Sequence, residues 1–372
     1  MENPGVLDTI RNCRFCFMCR HACPTFLATK YDSHTPRGFA LLLSEVHEGL
    51  RDWTEDFVER FYQCSLCGLC REDCLFHWPE DELVRQARAE IAAAGRAPSS
   101  IKHLSSLITQ EGSPFGRLDP AAGVPASVPA RGEVLYWPGC TARKNQPEII
   151  RAVGHILDAI GSPWSRLDDE GCCGMPFLDL GYPELAHHAI SALADRISAV
   201  HPQIVVTSCP HCYRMLTERI PEERRGSLSD VQVMHTSEFL VKAIATARLR
   251  FRHSWAGSRI VGYHDPCQLG RKLGVYEAPR NVILAATGKP PVELIHNRAG
   301  AECCGGGGAM ILTNHELVTR IATLRLKAAM QERVDILVSS CPTCKTALGM
   351  ARDQQGMNID LVDIVEMAAM AL

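Results

Sequence analysis

No apolar run in this chain is long enough to cross a bilayer. Runs such as Phe39 to Leu43 fall far short of the about 20 residues a spanning helix needs. The opening MENPGVLDTIRNC has no apolar core of the signal-peptide kind, so the expectation is a cytoplasmic protein. Charge is nearly balanced, at −3 over 372 residues, which gives no basic field for nucleic acid or an anionic membrane. Aromatic residues are only 6%, too few for a base-stacking surface. Walker loop, dinucleotide fingerprint and hydrolase elbow are all missing. Any flavin or nicotinamide must therefore belong to a partner, and a multi-subunit complex is expected.

What remains is an ordinary globular composition, 46% hydrophobic and 22% charged, with one abnormal number. There are 18 cysteines. Without a secretion signal, a disulfide framework is not the expected use of so many thiols; metal ligation or redox chemistry is.

The cysteines fall into four groups with none left over. Cys13, Cys16, Cys19 and Cys23 follow the spacing C-x2-C-x2-C-x3-C, with Pro24 next. Cys64, Cys67, Cys70 and Cys74 repeat it, with Leu75 in the proline position. This is the bacterial ferredoxin spacing, in which three thiolates hold one [4Fe–4S] cubane and the fourth reaches to its neighbour. The spacing thus assigns Cys13, Cys16, Cys19 and Cys74 to one cubane, and Cys64, Cys67, Cys70 and Cys23 to the other. A zinc site would leave the third evenly spaced cysteine of each run unexplained. Helical signals surround these runs: Pro36 to Gly49, Thr54 as N-cap of a segment containing FVERFY, and Pro79 to about Gly95. Residues 1–95 are expected to form a helical ferredoxin-type domain, and the Gly/Pro/Ala-rich segment 96–132 a linker.

The other ten cysteines form an internal repeat. One copy is Cys140, Cys172-Cys173-Gly174 and Cys209-Pro210-His211-Cys212. The other is Cys267, Cys303-Cys304-Gly305 and Cys341-Pro342-Thr343-Cys344. IVVTSCPHCYRML (204–216) aligns with ILVSSCPTCKTAL (336–348), which indicates duplicated domains, taken as 133–250 and 251–372. Short apolar runs at 134–137, 204–207, 260–263 and 336–338 end just before cysteines, as buried parallel strands would. Helices are expected at 147–160, 183–200 and 315–331, the last capped by Asn314. The expected fold class is α/β: a helical ferredoxin unit with two cubanes, then two α/β domains with parallel sheets. Parallel sheets place ligands at the carboxyl ends of their strands.

Five thiolates exceed what a simple cubane or tetrahedral zinc takes. An adjacent pair can serve two iron atoms of a larger core, and Gly174, Gly305 and Gly306 let backbone approach it. Backbone N–H groups of Gly305–Gly308 can also stabilise cluster sulfur; a nucleotide loop is the weaker alternative reading of the same glycines.

The pattern C…CCG…C-P-x-C, present twice behind two ferredoxin runs, resembles the CCG-domain family. Its architecture is most similar to the ferredoxin-fused catalytic iron–sulfur subunit of heterodisulfide reductase. The resemblance implies two non-cubane [4Fe–4S] clusters, one held by Cys140, Cys172, Cys173, Cys209 and Cys212. The other would be held by Cys267, Cys303, Cys304, Cys341 and Cys344. It implies disulfide/thiol redox chemistry fed through the cubanes. Family members of the same layout instead relay electrons from a flavin-dependent glycolate, lactate or glycerol-3-phosphate dehydrogenase, and that alternative stays open. So does a structural zinc in one of the two CCG sites.

His211 and His264 are candidate proton donors, each with a structural or hydrogen-bonding role as its plainer reading. Arg271 and Lys272 either meet an anionic substrate or are simply solvated. The segment from Ile359 onward reads as a core-docked helix, with a partner interface as the alternative.

Overall fold

The structure, a computed structural model, describes Ile10, Cys13, residues 16–123, 132–167, 170–224, 226, 228–252 and 255–372. The opening stretch 1–9 and the linker portion 124–131 lie outside the described residues.

The N-terminal unit is helical. Pro36–His47 begins behind Thr35, whose hydroxyl accepts from Gly38 N. Glu55–Tyr62 begins behind Thr54, whose hydroxyl accepts from Phe57 N. Glu80–Ala93 carries three acids in its first turn, where the helix dipole favours them. The segment read as a linker differs from expectation, because Ser99–Glu111 is a helix. Ile101, Leu104 and Ile108 form a one-sided stripe buried in the same core as Phe39, Phe61 and Leu83. The Gly/Pro-rich residues after it obscure that short periodicity.

Two four-stranded parallel sheets follow. The first comprises β1 (Val134–Trp137), β2 (Trp164–Ser165), β3 (Ile204–Thr207) and β4 (Gln232–His235), in the order β2-β1-β3-β4. The second comprises β5 (Val261–His264), β6 (Val292–Glu293), β7 (Ile336–Ser339) and β8 (Asp360–Asp363), in the order β6-β5-β7-β8. Register repeats too: Trp137 pairs with Thr207 at the strand ends, and His264 with Ser339.

Side chains alternate along the central strands. Val134, Tyr136, Val206, Tyr263, Ile336 and Val338 enter one core shared by both sheets. Leu135, Trp137 and Val205 face a second core built with the helical unit, and Leu337 faces a third. The two α/β units therefore share a core instead of each closing its own. The C-terminal helix Ile364–Met370 packs into that shared core against Pro147–Ala159, as its apolar face suggested, and it is preceded by β8.

Each sheet hands its last strand to a helix through a capping box, with His235 and Glu238 in one copy and Asp363 and Glu366 in the other. Burial, reinforced by Glu366, pushes the Asp363 carboxyl up to about 8. Its folded pKa lies above its unfolded value, so folding takes up a proton between the ordinary carboxylate range and about pH 8, and stability falls as pH rises through that window. Asp363→Asn keeps a capping side chain without the charge. Its melting temperature is expected to exceed the wild type's by a margin that widens from pH 5 to pH 8, with a limiting slope of about 1.4 kcal/mol per pH unit. A constant margin would show that Asp363 does not set this slope.

Candidate metal centres

In both sheets the strand order reverses between the first and third strands, which makes a crevice at their carboxyl ends. The cysteines are delivered there. Cys140 follows β1 and Cys209 and Cys212 follow β3; Cys267 follows β5 and Cys341 and Cys344 follow β7. Tyr136 Oη lies 2.8 Å from Ser208 Oγ and Tyr263 Oη donates to Ser340 Oγ at 3.2 Å, so the same buried pair ties each first strand to the loop before Cys-Pro. Pro210 and Pro342 then start helices, which needs no backbone donor at that position.

The adjacent cysteines complete each set. Gly174 N donates to Cys172 Sγ at 3.4 Å, and Gly305 N to Cys303 Sγ at 3.2 Å. Both glycines have positive φ, +93° and +85°, which the turn after the pair requires. Cys173 is in hydrogen-bonding reach of Cys212, and Cys304 Sγ lies 3.2 Å from Cys344 Sγ. Cys140, Cys173, Cys209, Cys212 and His211 line a cavity of about 60 Å³ that Gly306–Gly308 of the other copy help to wall. The two sets face one another: the hydroxyls of Thr141 and Thr343, each next to a cysteine or one residue from it, are 3.4 Å apart.

In the helical unit, Cys23, Cys64, Cys67 and Cys70 line a second small cavity, the grouping read from the spacing. Cys13 and Cys16 lie close enough to Cys19 to raise its thiol electrostatically. Cys74 follows the short helix Leu69–Glu72, which packs on Met18–Ala22. Cys67 also reaches out of its own unit, since its side chain contacts Cys303.

The donor chemistry fits iron–sulfur groups. None of the 18 cysteines is in a disulfide. Burial pushes the thiols of Cys19 and Cys64 up to about 12 and those of Cys23, Cys70 and Cys140 upward as well. So many buried thiolates need a cationic core, which iron supplies. Three buried donors beside the cysteines also have no oxygen or nitrogen acceptor: Trp137 Nε1, His264 Nε2 and Arg271 Nη2. Cluster sulfur is an acceptor suited to all three.

The other candidates separate. Burial opposes a charge on His211, but the hydrogen bond and charge of Cys209 hold its imidazole up to about 10. His264 goes the other way, its pKa lowered mainly by burial. Arg325 Nε donates to His264 Nδ1 at 3.2 Å, so Nε2 carries the proton and points to Cys304 as a hydrogen-bond donor. Arg271 is not a solvated surface group. It donates from Nε to Cys67 O at 2.9 Å and from Nη1 to Ala299 O at 3.0 Å and to Ala301 O. Lys272 is buried in an ion pair with Asp81.

The glycine run also does something else than cradle a nucleotide. A Cβ at Gly307 or Gly308 would strike the backbone oxygen of Ser65 or Cys64, so these glycines let the second α/β unit seat on the helical one. Sequence reading missed Arg88, a fully buried guanidinium at that junction. It donates to the carbonyls of Phe61 at 2.9 Å, Cys64 at 2.6 Å, Asp179 at 2.6 Å and Gly308 at 3.0 Å. Nothing local marks it apart from Arg85, the other arginine of Glu80–Ala93.

Residues 134–217 and 261–349 match the family described as Cysteine-rich domain, and residues 9–77 match the 4Fe-4S dicluster domain. The chain is 29% identical to one of the subunits of the dihydromethanophenazine:CoB–CoM heterodisulfide reductase of Methanosarcina mazei, over 98% of this chain and 95% of the relative. It is 24% identical to one of the subunits of the CoM/CoB fumarate reductase of Methanothermobacter marburgensis, over 97% of this chain and 72% of the relative. A crystal structure of a hypothetical protein from Helicobacter pylori has the same fold, with a TM-score of 0.61 at 8% identity, covering all of this chain and 73% of that one. Among the described residues no helix is long and apolar enough to cross a membrane.

Proposed function

The chain belongs to the CCG-domain iron–sulfur oxidoreductases, and from that premise we propose that it is the disulfide-reducing subunit of a multi-subunit complex. Residues 1–95 carry electrons through two cubanes, held by Cys13, Cys16, Cys19 and Cys74 and by Cys64, Cys67, Cys70 and Cys23. Residues 133–250 and 251–372 each hold a non-cubane [4Fe–4S] cluster on their five cysteines. A flavoprotein or other redox subunit supplies the electrons, since the chain has no nucleotide motif of its own. The proposed location is cytoplasmic, with any membrane association through a partner.

The observation that carries this reading is the pair of complete five-cysteine sets that face each other, a few ångströms apart at Thr141 and Thr343. A disulfide needs two electrons and two protons, R–S–S–R′ + 2 e⁻ + 2 H⁺ → RSH + R′SH. Two facing one-electron centres match the electron count, and the bound clusters supply those single-electron steps. The protein supplies the rest. His211 lines the cavity of the first set and holds a proton on its imidazole beside Cys209, the position for delivering it to a departing thiolate. Nine of the ten cysteines of the two sets are buried and Cys140 is half-buried, which limits water at the sulfur ligands.

The test uses full-length chain purified without oxygen. Iron and acid-labile sulfide are expected at about 16 each with no zinc, four clusters' worth. With a reduced viologen dye and a panel of asymmetric disulfides, the CoB–CoM heterodisulfide of the Methanosarcina relative among them, two thiols should appear per disulfide consumed. If all four clusters are present and reducible but no disulfide yields thiol, the chain is an electron relay and this reading is wrong.

A further inference from the structure

The duplication is broken where it matters most electrically. Offset by about 130 residues, Trp137 at the end of β1 corresponds to His264 at the end of β5, and Leu193 in Pro183–Val200 corresponds to Arg325 in His315–Gln331. At the first set this position pair is a neutral indole and a buried leucine, both in the core that contains Cys172, Cys173, Cys209 and Cys212. At the second set it is an imidazole whose Nδ1 accepts from a fully buried guanidinium, leaving Nε2–H for sulfur. The residue four positions after the leading cysteine differs as well. Lys144 is exposed after Cys140, whereas Arg271 after Cys267 is fixed on three carbonyls with Nη2 unpartnered.

Arg271 also lies where two cysteine sets meet. Its Nε is bonded to the backbone of Cys67, its charge is felt by Cys67, Cys267 and Cys303, and the side chains of Cys67 and Cys303 are themselves in contact. The second set thus adjoins the helical unit and is surrounded by two permanent cations. The acids around it are partly committed: Asp265 is paired with Arg280, while Glu302 stands 3.8 Å from Arg325. At the first set His211 lines the cavity, and the nearby guanidinium groups are taken up by carboxylates, Arg85 by Asp179 and the buried Arg143 by Glu170.

Reduction adds negative charge, which a nearby buried cation stabilises, and N–H donors to sulfur act in the same direction. We propose that the two CCG sites are unequal in potential, and that Arg271, His264 and Arg325 make the second site the first acceptor of electrons from the Cys67 cubane. The first site, with His211, is then reduced from the second. The proposal rests on both five-cysteine sets holding clusters, as proposed above. Arg271 is a positioning and electrostatic residue in this scheme, with no contact to substrate.

The experiment is a redox titration of the full chain followed by EPR, with the signals of the two sites assigned by their loss in Cys140→Ala and Cys267→Ala. The second-site signal is expected to appear first as the potential is lowered. Arg271→Gln should lower that site's reduced-to-oxidised ratio at fixed potential about tenfold, equal to 59 mV for one electron, and leave the first site unmoved. Arg271→Lys, which keeps the charge, should recover most of the shift. Arg271 also ties backbone, so His264→Phe provides a second variant that leaves those ties in place; it should shift only the second site, and Trp137→Phe only the first. Reduction of the first site ahead of the second, or equal movement of both sites in these variants, overturns the proposal while a count of about 16 iron leaves the function intact. A count of about 8 iron removes both.

Discussion

Arg88→Met is expected to destabilise the protein by on the order of 3–5 kcal/mol, the largest effect of any single substitution outside the cysteines. Arg88 has no exposed surface and no carboxylate of its own; its partners are four carbonyls. Two belong to the helical unit, Phe61 and Cys64, while Asp179 and Gly308 belong to the first and second α/β units. Methionine fills similar space but leaves those four acceptors buried with fewer donors, at a cost of about 1–3 kcal/mol for each that water cannot reach. Arg88→Lys keeps the charge but cannot span all four, so it should fall between. Thermal unfolding and iron retention of the purified chain would check this. Because Cys64 is a cubane ligand in the proposed scheme, iron loss should precede global melting. A wild-type melting temperature in Arg88→Met would mean that the three units are held by their apolar contacts alone. Gly308→Val should weaken the same junction, since φ there is +60° and its Cβ would meet Cys64 O. The double variant with Arg88→Met should cost less than the sum of the two.

Cys303→Ala is expected to abolish thiol release, with a loss of at least about 100-fold, and to remove about four of about sixteen iron atoms. Cys172 stands at the corresponding place in the first copy, and its replacement should remove a similar amount of iron. The two variants should differ in how electrons move. Cys303 touches Cys67, so its loss should also slow reduction of the first site from the helical unit. Cys172 makes no such bridge in this scheme, and Cys172→Ala should leave the second site reducible at the wild-type rate. Stopped-flow reduction by a viologen, followed at each site's EPR signal after freezing, separates these outcomes. Equal and independent behaviour of the two variants would show that the helical unit feeds both sites directly.

Much of this protein is legible before any coordinates. The cubane spacing, the repeated C…CCG…C-P-x-C and the strand runs before Cys140, Cys209, Cys267 and Cys341 are local patterns, set by backbone periodicity and ligand spacing. Helix starts at Thr54, Pro147, Pro183 and Asn314 are equally local, because a cap or an N1 proline acts within one turn. Ser99–Glu111 escapes such reading because its stripe of three apolar residues is short and its stability comes from docking on another unit's core. Arg271 and Lys272 look alike in sequence, yet one is braced on carbonyls beside cysteines and the other is neutralised by Asp81, 191 residues away.

The sequence by itself determined the spacing of the cysteines, that the α/β unit is duplicated, and that cysteines sit at the carboxyl ends of strands. Each follows from contacts between near neighbours along the chain. Only the tertiary structure decided that the two sheets share one core, that the glycine run seats on Cys64 and Ser65, and that Arg88 joins three units. It alone also brought Cys67 against Cys303 and placed Arg271 and Arg325 beside the second CCG set. Those features depend on groups far apart in the chain meeting in a water-poor interior, where a single unshared charge or hydrogen bond counts for far more than its residue type reveals.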